Sequence, residues 1–382
     1  MSLNSVFIVK TSHFFPNSPV LNEDMELYLG YLNGKASKMK NIVLRNNGIK
    51  KRYYALDKNG TATHTNAELT ALAIRELMFG EEKKLNEIPL IACGTSSPDQ
   101  MMPSHGVMVH GWLPESGSSE IITPSGNCCA GMHALKYAYL AIKCGEVNSA
   151  ISTGSERLSR ILSSDQFEDE IERLSELEEN PHLAFEKDFL RWMLSDGAGA
   201  FLLSDKPGKN GISLKIEWLE GASFAHMAEA CMYMASEKSE NGQLKSFMDF
   251  DQKELMAKSI FSIKQDVRLL DAHIVSFGYE TLKTILNTKN ISVDDVDYFL
   301  PHLSSEYFRY KIADTLKENG MEIPQEKWFT NLTQTGNVGA ASIYLMLDEM
   351  FSNGMLKKGD RLLLMVPESA RFSYMYGYFT VV

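Results

Sequence analysis

The chain resembles itself across an interval of a little over half its length. Leu90-Ile91-Ala92-Cys93-Gly94-Thr95-Ser96-Ser97 is an apolar run ending in hydroxyls, and Tyr298-Phe299-Leu300-Pro301-His302-Leu303-Ser304-Ser305 is built the same way. Farther along, Gly126-Asn127 precedes one amphipathic segment and Gly336-Asn337 precedes another. The offsets are 208 and 210 residues, too long for a solenoid repeat and of the size of a whole domain. A duplicated α/β unit is therefore expected, each half with its own sheet and the two glycine-led helices meeting between them. The boundary falls near residue 205, giving an N-terminal half 1–205 and a C-terminal half 206–382. Two short matches leave a chance likeness as the alternative.

Within the first half, Ser125-Gly126-Asn127-Cys128-Cys129-Ala130-Gly131-Met132 sets a cysteine where a strand ends and a helix begins. The strand reads Glu120-Ile121-Ile122-Thr123-Pro124, and the helix runs from Ala130 to Lys143 with Met132, Leu135, Ala138, Tyr139 and Ile142 on one face and Gly145 as its stop. Unpaired N–H groups at a helix start favour thiolate over thiol, which suits a nucleophile. A small buried cysteine packed under the turn accounts for the motif equally well.

Composition narrows the function classes. A chain of 382 residues with 44% hydrophobic residues holds a sizeable core, and a net charge of −11 without a basic run argues against nucleic acid. Cys93, Cys128, Cys129, Cys144 and Cys231 have neither zinc-ligand spacing nor the pattern of a disulfide framework. No metal or cofactor is called for, and a reducing cytoplasm fits. The first residues read as a strand, and no apolar run approaches the ~20 residues of a membrane span. Leu194-Ser195-Asp196-Gly197-Ala198-Gly199-Ala200 lacks the Gly-Lys-Ser/Thr ending of a phosphate loop and precedes a strand, so its glycines are read as points of close packing.

Two segments carry open alternatives. Residues 156–193 are acidic and read as helical, a solvated face whose apolar end (Leu183, Phe185, Phe189, Trp192, Met193) would alternatively cover a cleft. Residues 221–262 contribute Met227, Met232, Met234, Met248 and Met256 to a chain with 20 methionines, either as core filling or, in the minority, as lining for an alkyl tunnel.

Cys129-Ala130-Gly131 opening a helix, Pro301-His302 ending a strand, and Gly336-Asn337-Val338-Gly339-Ala340-Ala341-Ser342 stand in the order of the condensing enzymes of the thiolase fold. The chain most resembles β-ketoacyl-acyl-carrier-protein synthase III. Gly94-Thr95-Ser96-Ser97-Pro98, Thr153-Gly154-Ser155-Glu156 and Asp196-Gly197-Ala198-Gly199-Ala200 extend the likeness nearly end to end. It implies a five-layered αβαβα architecture of two pseudo-duplicated halves, a homodimer, and acyl-carrier-protein or coenzyme A thioesters as substrates. Cys129 would carry an acyl group, its own N–H forming part of an oxyanion hole. His302 and Asn337 would donate to the carbonyl of the second substrate, a task that neutral imidazole and amide groups perform.

Cys128 matches no functional position and is expected to pack, and a Cys128–Cys129 disulfide would be strained. His133, one turn beyond Cys129, would neighbour the site or, as the more usual role of a helical histidine, pack or hydrogen-bond, and His105, His110, His182, His226 and His273 are assigned no role. Departures from the family pattern are informative. Ile42 and Asn46 stand where the family has an entrance tryptophan and arginine, and Pro367-Glu368-Ser369-Ala370-Arg371-Phe372 replaces a triple-glycine loop. These changes resemble the dialkylresorcinol and flexirubin subgroup, which joins acyl and β-ketoacyl units in secondary metabolism. Decarboxylative initiation with malonyl-carrier protein, a noncatalytic subunit of a heterodimer, and acyl transfer to an oxygen or nitrogen acceptor are the alternatives.

Overall fold

The computed structural model describes residues 3–31, 34, 36–37, 40–166, 190–209, 211–258 and 260–382. Its main sheet is built from β1 (Phe7–Phe14), β2 (Leu90–Thr95), β3 (Glu120–Ile122), β4 (Ser149–Glu156), β5 (Gly197–Ser204), β6 (Leu214–Ser223), β7 (Tyr298–Pro301), β8 (Arg361–Glu368) and β9 (Ser373–Val381). Packed on and between these strands are α1 (Asn66–Met78), α2 (Ala130–Lys143), α3 (Val267–Lys289), α4 (Tyr307–Glu318), the single-turn α5 (Leu332–Thr335) and α6 (Ser342–Ser352).

The strand order is β7-β8-β9-β6-β1-β5-β4-β2-β3. In the first half β2 runs parallel to β4, β4 antiparallel to β5, and β5 antiparallel to β1. The same senses recur in the second half, where β7 is parallel to β8, β8 antiparallel to β9, and β9 antiparallel to β6. Even the edge strand has a counterpart, since β2 pairs in parallel with β3 while Phe299 bridges in parallel to Trp328. The expectation of two wholly separate sheets needs one correction: Phe7 pairs with Lys215 and Ile8 with Leu214, fusing the halves into nine strands. Val6, next to this junction, also accepts a hydrogen bond from Ile216.

Side-chain alternation along the strands sorts the core into layers. Phe201 and Leu203 of β5 and Leu362, Leu364 and Val366 of β8 share a central cluster with Met132 and Leu135 of α2 and Ile343 and Leu347 of α6. Ala200 and Leu202 point the other way, against Leu69, Ala73 and Ile74 of α1. Leu363 and Met365 likewise face α3 and α4 through Leu270, Ile274, Phe308 and Ile312. The result is the layered helix–sheet–helix–sheet–helix arrangement, with α2 and α6 in the middle.

Contact between the middle helices depends on missing side chains. A Cβ on Gly131 would lie 2.3 Å from the Ala340 carbonyl oxygen, and one on Gly154 2.2 Å from the same atom. Gly199 of β5 allows Tyr344 to close in, for a Cβ there would sit 2.4 Å from that of Tyr344. The Tyr344 hydroxyl then donates to the Gly131 carbonyl at 2.8 Å. At the start of α1, Thr65 and Glu68 form a reciprocal capping box.

Residues 157–166 are turns and one 3₁₀ turn instead of the expected helix. The buried Asp196 carboxylate accepts from the N–H groups of Ala55, Leu158 and Ser159, which holds this chain segment against the core. The rest of the expected acidic helix, 167–189, and His182 lie outside the described residues. Among the described residues no helix is long and apolar enough to cross a membrane.

Candidate active site

One pocket lies where α2, β7, β8 and the turn before α6 converge. His302 reaches it because β7 ends at Pro301 and the His302 N–H continues the parallel ladder by donating to the Met365 carbonyl at 2.8 Å. Burial holds its imidazole neutral, with a pKa pushed down to about 4. Its Nε2 is buried and has no hydrogen-bond partner among the described residues. A ring nitrogen left this way costs free energy unless a ligand answers it.

Asn337 enters from the turn after α5. Its backbone is tied on both sides, the N–H donating to Met193 O at 3.0 Å and the C=O accepting from Ser195 N at 2.9 Å. Gly336, at φ 72°, makes the turn that a side chain would obstruct, since a Cβ there would meet Ser195 Cβ at 2.8 Å. The amide oxygen of Asn337 accepts from Gly339 N at 2.9 Å, which fixes the amide and leaves its nitrogen as the donor end. His302 and Asn337 both line the pocket.

The two cysteines are placed differently from the expectation. Cys128, expected only to pack, lines the pocket with His302 and Asn337. Cys129 is wholly buried, and its thiol donates to the Val366 carbonyl at 3.3 Å. Nor does the helix start lower its pKa. Burial and the neighbouring Glu368 carboxylate push the Cys129 thiol well up, because that carboxylate neutralises the N–H groups that would otherwise stabilise a thiolate.

Glu368 went unassigned in the sequence, and it occupies the place expected of an oxyanion. Its Oε2 accepts from Asn127 N at 3.0 Å and from Cys129 N at 3.1 Å. The signal for it lies in the repeat: Glu156 ends β4 and Glu368 ends β8, strands of 8 residues each with the same pairing senses. Each carboxylate crosses to the other half, Glu156 accepting from Ala340 N just before α6 and Glu368 from Cys129 N just before α2. Glu156 is also bound by Ser96 N and by the hydroxyls of Ser96 and Ser97. Its complete burial still lifts its carboxyl to about 7.

Much of the remaining pocket lining is apolar, including Leu190, Met193, Leu270, Ile274, Phe308 and Ile312. Of the methionine-rich stretch, Met232 lines it, while Met227 and Met248 are exposed. Ile42 is exposed, and His133 lies on the exposed side of α2. His105 is buried and bonded to Ser155 Oγ at 3.1 Å, a packing role. Among the described residues no cluster of three His, Cys, Asp or Glu side chains could hold a metal ion.

Residues 286–367 match the family model of the 3-oxoacyl-[acyl-carrier-protein] synthase III C-terminal region. A β-ketoacyl-[acyl-carrier-protein] synthase III of Clostridium acetobutylicum is 25% identical over 364 residues, covering 95% of this chain and 94% of that protein. Among solved structures, the tetronic acid condensing enzyme AbyA1 superposes with a TM-score of 0.76 at 19% identity, covering 98% of this chain and 99% of its own. OleA of Xanthomonas campestris, solved with lauric acid and lauroyl-CoA, gives 0.73 at 18% identity, with 98% and 99% covered. The layered fold is the thiolase-like one, and over nearly its whole length the chain is similar to the β-ketoacyl-[acyl-carrier-protein] synthase III acyltransferases.

Proposed function

We propose that the chain joins two fatty-acid-derived acyl units by Claisen-type carbon–carbon condensation through an acyl-Cys129 intermediate. The observation that carries this reading is that His302, whose Nε2 has no partner among the described residues, and Asn337, whose amide oxygen is held by Gly339 N so that its nitrogen is the donor end, line one largely apolar pocket. Donors of that kind suit an enolate oxygen, whose charge develops only as the reaction proceeds. The half 1–205 would supply the thiol and the half 206–382 the two donors. To be acylated, Cys129 must release the Val366 carbonyl. The substrates in this reading are carrier-protein or coenzyme A thioesters, one acyl and one β-ketoacyl, as in dialkylresorcinol formation, and the enzyme works as a cytoplasmic homodimer. The lauroyl-CoA bound by OleA supports a long acyl chain, and the condensing role named for AbyA1 supports the reaction type.

A second reading follows from the pocket position of Cys128. It places the acyl group on that thiol instead. Intact mass after incubation with separate acyl- and β-ketoacyl-carrier proteins, followed by peptide mapping, separates the two. Acyl mass on Cys129, lost in Cys129→Ala, is the expected result, and the same adduct on Cys128 establishes the second reading. His302→Ala and Asn337→Ala are expected to keep loading and to stop condensation. Protein that takes up no acyl group from any donor would overturn both readings.

A further inference from the structure

We propose that Glu368 is the general base that removes the α-proton of the second substrate, and that acyl loading of Cys129 is what releases it. This inference rests on the condensing reading above. A condensation that loses no carbon dioxide needs a proton acceptor, and the described groups at the pocket offer few. His302 serves as a donor and is buried as the neutral ring. Glu156 is held by two backbone N–H groups and two serine hydroxyls.

Glu368 is the less restrained copy of that same buried carboxylate. Both of its hydrogen bonds end on Oε2, and Oε1 accepts none among the described residues. The serines that satisfy Glu156 follow β2, and their counterparts after β7 are Ser304 and Ser305. Neither bonds Glu368: Ser304 lines the pocket, and Ser305 donates to the Asn46 carbonyl at 3.3 Å. Pro367 and Ser369, on either side of Glu368, line the pocket, while Glu368 itself faces the start of α2 and the Cys129 N–H. The duplicated position thus keeps a fully bonded strut in one half and a carboxylate with an unused oxygen in the other.

The Cys129 N–H that Oε2 now occupies is the donor that a Cys129 thioester would use for its own carbonyl oxygen. Loading therefore competes the carboxylate away, and loss of N–H bonds makes it more basic. It is left beside the acyl carbon that the incoming α-carbon must reach. Glu368 takes the α-proton, and the C–H electron pair becomes an enolate whose oxygen is held by His302 and Asn337. The α-carbon then bonds to the acyl carbon as the bond from that carbon to Cys129 sulfur breaks. The departing thiolate recovers the proton from Glu368, so that both groups return to their starting states.

The test uses full-length E368Q and E368D, acyl-carrier protein as the first substrate and β-ketoacyl-carrier protein as the second. Intact mass measures loading, and single-turnover product formation measures condensation. E368Q is expected to load at least as fast as the parent, since it removes a charge that holds the Cys129 thiol up, and to condense about 10²–10⁴-fold more slowly, the usual range for a lost general base. E368D keeps the charge and is expected to recover part of the rate, with a pH profile that falls on acidification and is absent from the residual rate of E368Q. Condensation by E368Q at the parent rate would overturn the inference and leave the condensing reading standing. So would folded E368Q that no longer loads, since the carboxylate would then serve acylation, or parent enzyme that condenses only with malonyl donors and carbon dioxide release. Parent enzyme that never loads removes the condensing reading itself, and the inference with it.

Discussion

Replacing Glu156 by Gln should make the protein more stable at pH 8 and leave it nearly unchanged at low pH. The carboxyl is completely buried and lifted from 4.5 to about 7, so the folded state holds its proton over a range where the unfolded chain has lost it. The sign follows from that order. Below about 4.5 the group is protonated in both states and its contribution is fully present; that stability is lost as pH rises from there through about 7. An interval of this width makes the folded state less stable by roughly 3 kcal/mol at pH 8, on the order of 1.4 kcal/mol for each pH unit between the two values. The amide of Gln never ionises. Its oxygen can still accept from Ala340 N and Ser96 N, and its nitrogen can donate to the hydroxyls of Ser96 and Ser97 once these rotate from donating to accepting. Urea unfolding of parent and E156Q at pH 5, 6, 7 and 8 measures the gap, and other titrating groups cancel in the difference. The variant is expected to gain on the parent by roughly 2.5 kcal/mol between pH 5 and pH 8. Parallel stability curves would refute the reasoning, since they would mean that burial does not hold the proton on Glu156.

Other outcomes follow from the same packing. Gly131→Ala places a methyl 2.3 Å from the Ala340 carbonyl oxygen, and the backbone of α2 and of the turn leading into α6 must move apart, so a loss of about 1–3 kcal/mol or more is expected in a denaturant titration. An unchanged midpoint would show that α2 and α6 are not so closely packed. Because His302 is neutral above a pKa of about 4, condensation should show no limb from imidazole protonation between pH 5 and 8 (the range in which an ordinary histidine, at roughly 6.5, would titrate). A limb in that range that disappears in His302→Gln would show the ring to be far more solvated than its position here.

Parts of the fold were legible because they are local. The apolar run of β2 and the 14 residues of α2 ending before Gly145 are written within a few neighbouring positions. The likeness between the halves was legible too, since β2 and β7 do occupy corresponding places in the two sets of strands. Residues 157–166 read as helix from their composition, yet they are held as turns by Asp196, which lies 38 positions beyond Leu158. Pattern reading weighs only near neighbours, so such a bond is invisible to it.

For the site, sequence by itself determined which residue types the chain has for this chemistry and where they stand along it: a cysteine at a helix start, a histidine at a strand end, an asparagine after a glycine turn. Only the tertiary structure decided which atoms meet. It turned Cys128 to the pocket and the Cys129 thiol to Val366, and it set Glu368 on the N–H of Cys129, 239 positions away. Two adjacent cysteines at a helix start look alike in sequence because both directions are open to a side chain until the opposite half closes over them. The physical reason is that orientation, burial and hydrogen-bond partners belong to the packed halves together, and a carboxylate at the end of β8 acquires its chemical meaning only when α2 is brought against it.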